Sequence, residues 1–544
     1  MASSHHRCGL RSQIDPRTVQ HRFQNSHIPV YRLPTELLTA IFLHARDDAG
    51  YHKHSHLVLT LSWVSSHWRD ILLSNPALWT FIEVRSEDLL NLFLTRSPNS
   101  NLRIDQAADS PNDFVPIMKE LFRLECLTLC CPEVDIDEED ELGGSTHDDS
   151  LLRPYWSQPA PYLRKLSLTN FPIPPNPFDN ISPALRDVEL VWCNFDWATF
   201  PLSNITTLRV VFPEHDISSS QFLQKLQQMP FLEHLELEGA LEGTGWSGPV
   251  RHKLSHLKYL DITLDDPNTL MDFLQRISVP AAAYISVGVE ESGGMVPELI
   301  TRLRGCVDGE LKALSNFRLD AYANSLSFEV IPVLPASNEQ DDHGPFLRGN
   351  FSGWEFNHSV VDELFHHYDF SGLTELSLLS DDQEITTDIW TTIFTPLPQL
   401  TKLSLEGVFA VSFINHVSTS AQHISLPPDS NIEVDDDIKD EVRQGMTFPS
   451  LESLGLHRTS SFVEAVGEDE TKWPGEFDMF YAALGIRQLV GCGLRNLKVT
   501  RYALADLQVE SLRFVVDNLV YEDERSWALE IADVAEKLGL GGDR

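Results

Sequence analysis

The chain has 544 residues, 42% of them apolar and 22% charged, with a formal net charge of −39. That length allows several domains or one elongated repeat array. The charge argues against a nucleic-acid backbone as partner, which needs a basic face, and no apolar run reaches the ~18 to 20 residues that cross a membrane. No apolar signal-peptide core is read at the N-terminus. Seven cysteines are scattered along the chain, from Cys8 to Cys492, and they form neither a disulfide framework nor paired Cys-x-x-Cys knuckles. A reducing compartment, cytoplasmic or nuclear, is the expectation.

In chain order, residues 1–27 carry Arg7, Arg11, Arg17 and Arg22 with Asp15 as the only acid, and read as a disordered tail. Residues 28–84 then predict two short amphipathic helices. Pro34 suits the first turn of the first, and Glu36 sits where the positive helix end favours an anion. Leu37, Leu38, Ile41, Phe42 and Ala45 share one face at helical spacing. The second runs through Leu57, Leu61, Val64, Trp68 and Ile71, with Pro76 marking its end. So many bulky apolar residues on two short helices must pack on neighbouring chain, on a partner, or on both.

Leu33-Pro34-Thr35-Glu36-Leu37, the Ile41-Phe42 pair, Val64 to Trp68-Arg69 and Asn75-Pro76-Ala77-Leu78-Trp79 occur in that order. Together they resemble the F-box of basidiomycete fungal F-box proteins. The resemblance implies insertion into a Skp-type adaptor and, through it, a cullin. Carried over position by position, the adaptor-facing candidates are Leu33, Pro34, Leu37, Leu38, Ile41, Phe42, Val64 and Trp68. Two departures stand out: a long connection from Arg46 to His56, and Ser65 where the family often has Cys.

Over residues 85–520 a pattern Leu-x-x-Leu-x-Leu recurs. Its middle positions Leu166, Val188, Leu208, Leu235, Leu260 and Ile285 are 20 to 27 residues apart, within the range of leucine-rich repeats. Copies at Leu127, Phe317, Leu376, Leu403, Leu454 and Leu497 bring the total to twelve. Each copy predicts a short strand, stacked in parallel on the next so that neighbours bury a common core. Helices are expected over Ser219 to Gln228 and Pro267 to Ile277 on the outer face. Long gaps from Phe317 to Leu376 and from Leu403 to Leu454 read as acidic or Pro-rich insertions. Acidic inserts lie near 133–150 and 429–443, and residues 521–544 read as a C-terminal helix and tail. The fold class expected is therefore α/β, a small helical F-box followed by an irregular leucine-rich-repeat solenoid with a concave face of parallel strands.

Residues interleaved with the leucines point to solvent on that face. Asp187, Glu189, His234, Glu236, Glu238, Tyr259 and Asp261 make an acidic strip with an aromatic, which suits a protein target with a basic segment. The plainer reading is an exposed polar face. Gly243-Thr244-Gly245-Trp246-Ser247-Gly248 fits G-x-G-x-x-G, but Pro249 follows at once and no Gly-opened helix is evident, so it reads as a turn. His52, His54 and His56 alternate as metal ligands on a strand would, yet without a carboxylate nearby in sequence, and read as a polar loop. Cys130-Cys131 reads as the end of a repeat strand. No Gly-x-Ser-x-Gly elbow, His-Glu-x-x-His or phosphate loop occurs. No catalytic residue, cofactor or metal is expected. The function expected is a substrate receptor of an SCF-type ubiquitin ligase. The alternative is a non-catalytic scaffold whose F-box-like helices only cap the solenoid.

Overall fold

The structure, a computed structural model, describes residues 20, 28–49, 53–83, 86–107, 111–131, 151–213, 217–243, 251–290, 292, 294–309, 314–322, 325–332, 347–352, 358–380, 390–391, 394, 397–422, 436–458 and 477–522. The expected N-terminal tail is therefore outside the described residues except for Gln20, as are the insert near 133–150 and everything after Glu522. The chain divides into two units, Met1–Val188 with Cys193–Pro201, and Glu189–Trp192 with Leu202–Arg544.

The first unit opens with α1, Thr35–Asp47. Pro34 precedes it, Glu36 lies in its first turn, and His44 and Arg46 lie in its last, as the helix dipole favours. Leu38, Phe42 and Arg46 form its buried face. Arg46 donates to the Thr80 hydroxyl at 3.2 Å and lies 4.5 Å over the Phe81 ring. The single second helix read from the sequence is in fact two, α2 (His54–Val64) and α3 (Ser66–Ser74). Ser65 breaks it: the residue is extended, and its hydroxyl accepts from the Trp68 N–H at 3.1 Å, which caps α3. The long connection is also shorter than read, because α2 begins at His54. The helix α4, Glu87–Arg96, follows. Strands β1 (Phe81–Ile82), β2 (Leu102–Ala107), β3 (Leu124–Cys130) and β4 (Lys165–Thr169) pair in parallel in that order.

The strand β5, Asp187–Val191, spans the division between the units. In the second unit β6 (Thr207–Val211), β7 (His234–Glu238), β8 (Tyr259–Leu264) and β9 (Tyr284–Val289) are parallel neighbours in chain order. Leu208, Leu235, Leu260 and Ile285 stand in one register row and Val210, Leu237, Ile262 and Val287 in the next, all buried. This alternation is the Leu-x-Leu signal made physical. The leading residue closes a turn in several copies, as in Leu232 N–H to Met229 O (3.2 Å) and Leu257 N–H to Leu254 O (3.1 Å), whereas Leu314 N–H donates to Asp369 O (3.1 Å). At Ala282 the copy is displaced by one: Ala283 is the buried residue.

The sheet departs from strict parallel order next. Strands β10 (Leu314–Tyr322), β11 (Ser325–Pro332) and β12 (Leu347–Ser352) form an antiparallel meander, with β12 parallel to β9 and β10 parallel to β13 (Glu375–Ser380). Part of the gap read as an insertion is thus sheet. On β11 Leu326, Phe328 and Val330 alternate inward, so that strand joins the core without the repeat motif, while β10 carries the Phe317 copy. Then β14 (Lys402–Gly407), β15 (Ser453–His457), β16 (Asn496–Thr500) and β17 (Asn518–Glu522) continue in parallel. The whole is mixed α/β with a large, mostly parallel sheet.

Helices α5 (Ser219–Leu226) and α6 (Pro267–Arg276) occupy the expected stretches, each burying an apolar stripe. Asp266 caps α6 by accepting from Asn268 and Thr269 N–H. Residues 436–444 of the second acidic insert are a helix, Asp436–Gln444, stitched by Lys439–Asp436 and Arg443–Asp440 pairs. Tyr521 and Glu522, expected to start a C-terminal helix, end β17 instead.

Candidate partner-binding surfaces

The first surface is on the helices of the first unit. Their apolar residues divide between two faces, one more than the sequence reading assumed. Leu38 and Phe42 are buried, and the Phe42 ring packs 4.9 Å from that of Trp68, itself half-buried. One residue away on α1, Leu37 is 53% exposed and Ile41 49%. On α2 the buried residues are Ser55, Val58 and Ser62, not the leucines, while Trp63 is 72% and Val64 52% exposed. Pro34 is exposed and Leu33 half-buried. Among the adaptor-facing candidates, then, Pro34, Leu37, Ile41 and Val64 are available to a partner, and Leu38 and Phe42 hold the helices together. Trp63 escaped the sequence reading because it lies off the apolar spacing.

Two of the three histidines of this region are on a helix and not in a polar loop. His54 and His56 are in the first turn of α2, and His52 lies outside the described residues. A carboxylate does reach His54, from far along the chain: Glu83 accepts its backbone N–H at 3.1 Å and lies 2.8 Å from Nδ1. The contact caps the helix and anchors it to the first strand. Among the described residues no group of three or more His, Cys, Asp or Glu is placed to hold a metal ion.

The second surface is the polar row of the strands. Asp187 belongs to the first unit; the other candidates stand in the second. There the expected acidic strip is interrupted by Arg209, which the sequence reading passed over. Its Nη1 donates to Glu189 and its Nε to Glu236, both at 2.7 Å. Burial alone would lower the Arg209 pKa, but hydrogen bonds and charge from Glu236 and Glu189 raise it above its ordinary value. Cross-strand register could have found this pair, since Arg209 stands opposite Glu236. What stays unneutralised by Arg209 is Glu238 and Asp261.

Beside them His234, Tyr259 and Tyr284 are register partners. The two tyrosine rings stack at 4.8 Å and 5°, with His234 6.1 Å from Tyr259. Tyr259 donates its hydroxyl to Asp261 at 3.1 Å. Burial and the Asp261 charge hold that phenol well above its ordinary pKa. The row is thus an aromatic ladder edged by carboxylates, suited to contacts with cationic side chains.

The Gly-rich segment supplies little: Gly243 is left-handed at φ +80, and residues 244–250 lie outside the described residues. Cys130 ends β3, and Cys131 is buried. Among the described residues no helix is long and apolar enough to cross a membrane. No family model matches the chain, and no curated protein matches it.

Proposed function

We propose that this chain is a substrate-recognition subunit of an SCF-type ubiquitin ligase. Residues 28–84 act as an F-box on a Skp-type adaptor, and an irregular leucine-rich-repeat solenoid holds a target protein. The observation that carries the reading is the exposure of Leu37, Ile41, Trp63 and Val64 on helices whose opposite residues are buried. Large apolar side chains left in water mark a surface that a partner covers. Leu37, Ile41 and Val64 are also among the positions that the resemblance assigns to the adaptor. The described cysteines are all free thiols, which fits the cytoplasm or nucleus.

In this role the chain needs no catalytic residue. It raises the effective concentration of a target lysine near a loaded enzyme held by other subunits. The aromatic and acidic ladder at Tyr259 and Asp261 is one contact for a basic target segment.

The test is co-purification of the full chain with a Skp-type adaptor. Leu37→Glu and Ile41→Glu place a charge on exposed sites, so the expected result is loss of the adaptor with unchanged thermal stability. Retained binding in the double variant sinks the assignment. The second reading, helices that merely cap the solenoid, draws on the Phe42–Trp68 contact. It requires Trp68 and Leu37 to be buried, and its signature in the same experiment is an unfolded double variant with no adaptor bound by the wild type.

A further inference from the structure

Toward the C-terminal strands the polar row changes character. Where the earlier strands carry Arg209, Glu236 and Asp261, the register neighbours on β13, β14 and β15 are Ser377, Ser404 and Gly455. The small side chains leave a depression of about 390 Å³, bordered by Arg318, Glu375, Lys402, His457 and Lys498. A second depression of about 260 Å³ shares His457 and Lys498 and adds Arg458 and Arg501 with Glu406 and Glu522.

The cations here differ in how far they are already used. Lys402 is 2.5 Å from Glu375, and Arg318 is 2.9 Å from Asp320. Lys498, by contrast, is exposed and only 3.8 Å from Glu522. Arg458 makes no ion pair among the described residues, in a chain of net charge −39. His457 leans over Gly455: a Cβ on that glycine would lie 2.8 Å from Nε2 and 3.5 Å from the Ser404 hydroxyl. Its Nδ1 is 2.7 Å from the Thr500 hydroxyl.

The geometry points to this depression as the docking site for an extended, acidic segment of a partner protein, with one carboxylate seated over Gly455 between His457 Nε2, the Ser404 hydroxyl and the Lys498 ammonium. The inference rests on the reading of the strand face as the partner-holding surface, and it adds a recognition chemistry opposite in sign to the Tyr259 ladder. Charge complementarity selects the occupant: a carboxylate gains the exposed Lys498 ammonium, whose Glu522 partner is 3.8 Å away, and, in the adjoining depression, the Arg458 guanidinium, which makes no ion pair among the described residues, whereas a basic segment would displace Lys402 from Glu375. The floor selects its shape, because the small residues Ser377, Ser404 and Gly455 follow one another across three strands and an extended chain can follow that row from strand to strand. Burial, then Lys498 and Arg501, hold His457 below its ordinary pKa. In the tautomer whose Nδ1 accepts from the Thr500 hydroxyl, Nε2–H is the donor toward the carboxylate.

Fluorescence anisotropy on the full chain tests this, with a labelled Ser/Gly peptide bearing glutamates as probe and its glutamine counterpart as control. The glutamate peptide is expected to bind about tenfold more tightly than the control. Lys498→Ala and Gly455→Val are each expected to remove that difference, while Asp261→Ala leaves it. Because Lys498 is exposed, its truncation spares the fold and carries the test even if the valine variant is unstable. Equal binding of the two peptides, binding of neither, or full binding by Lys498→Ala overturns the proposal. Adaptor co-purification is read on the same preparations. Adaptor bound without peptide removes this site alone; peptide bound without adaptor removes the ligase reading alone.

Discussion

The Ser65 hydroxyl accepts from the Trp68 N–H and starts α3 in a new direction. Removing a side-chain cap leaves a helix N–H without its partner, at a cost of about 1 kcal/mol. Ser65→Ala is therefore expected to lower the stability of the first unit by about that amount, measured as a shift in urea midpoint. An unchanged midpoint would show that the break is set by packing alone. Apolar spacing does not reveal this break: Leu61, Val64 and Trp68 keep helical intervals straight across it, so a one-residue interruption leaves the pattern intact. Arg209 is hidden for a different reason. Its partners Glu189 and Glu236 are one strand away on either side, and such pairs appear only once strand register is known.

At the scale of elements, the strands are the most legible part of the chain. Each carries two inward residues in an alternation that the pleat requires, and every one of the twelve copies coincides with a strand. The strands β11 and β12 of the meander are not legible in the same way, although β10 carries the Phe317 copy. They fill their share of the core with Leu326, Phe328, Val330, Leu347 and Phe351, an alternation without the leading leucine. Gly349 accepts the Phe328 ring where a side chain would collide. The helices of the first unit show the limit of periodicity from another side, since a stripe at helical spacing does not say whether core or partner covers it. Leu38 and Leu37 are sequence neighbours, yet the first is fully buried and the second half in water. For the strands the energetic consequence is direct. Leu260 is completely buried in the row between Leu235 and Ile285, so Leu260→Ala is expected to cost about 2 to 5 kcal/mol in chemical denaturation. A loss below about 1 kcal/mol would mean that the row is not a packed core.

For the molecule as a whole, acid stability follows from three histidines of the second unit. Burial holds His252, His416 and His457 below their ordinary pKa, with Lys498 and Arg501 adding to it at His457. A histidine held low binds its proton less well folded than unfolded. Stability is thus intact above the ordinary value of about 6.5 and is lost as pH falls through it toward the folded values. The urea midpoint is expected to drop between about pH 7.5 and about pH 5.5. His416 is buried, with its Nε2 2.9 Å from the Thr447 hydroxyl, and His416→Asn should reduce the drop. Asp266 and Asp369, held low by hydrogen bonds despite some burial, act only near and below about pH 4, outside this window. A midpoint independent of pH would contradict the burial of these rings.

The central proposal is that a helical docking face and a strand face for targets share one chain. Amide hydrogen exchange of the full chain, with and without a purified Skp-type adaptor, tests it most directly. The expected result is slowed exchange confined to Thr35–Asp47 and His54–Ser74, with the strands from Thr207 onward unchanged. Exchange unaltered over those helices at saturating adaptor, or slowed only on the strands, would contradict it.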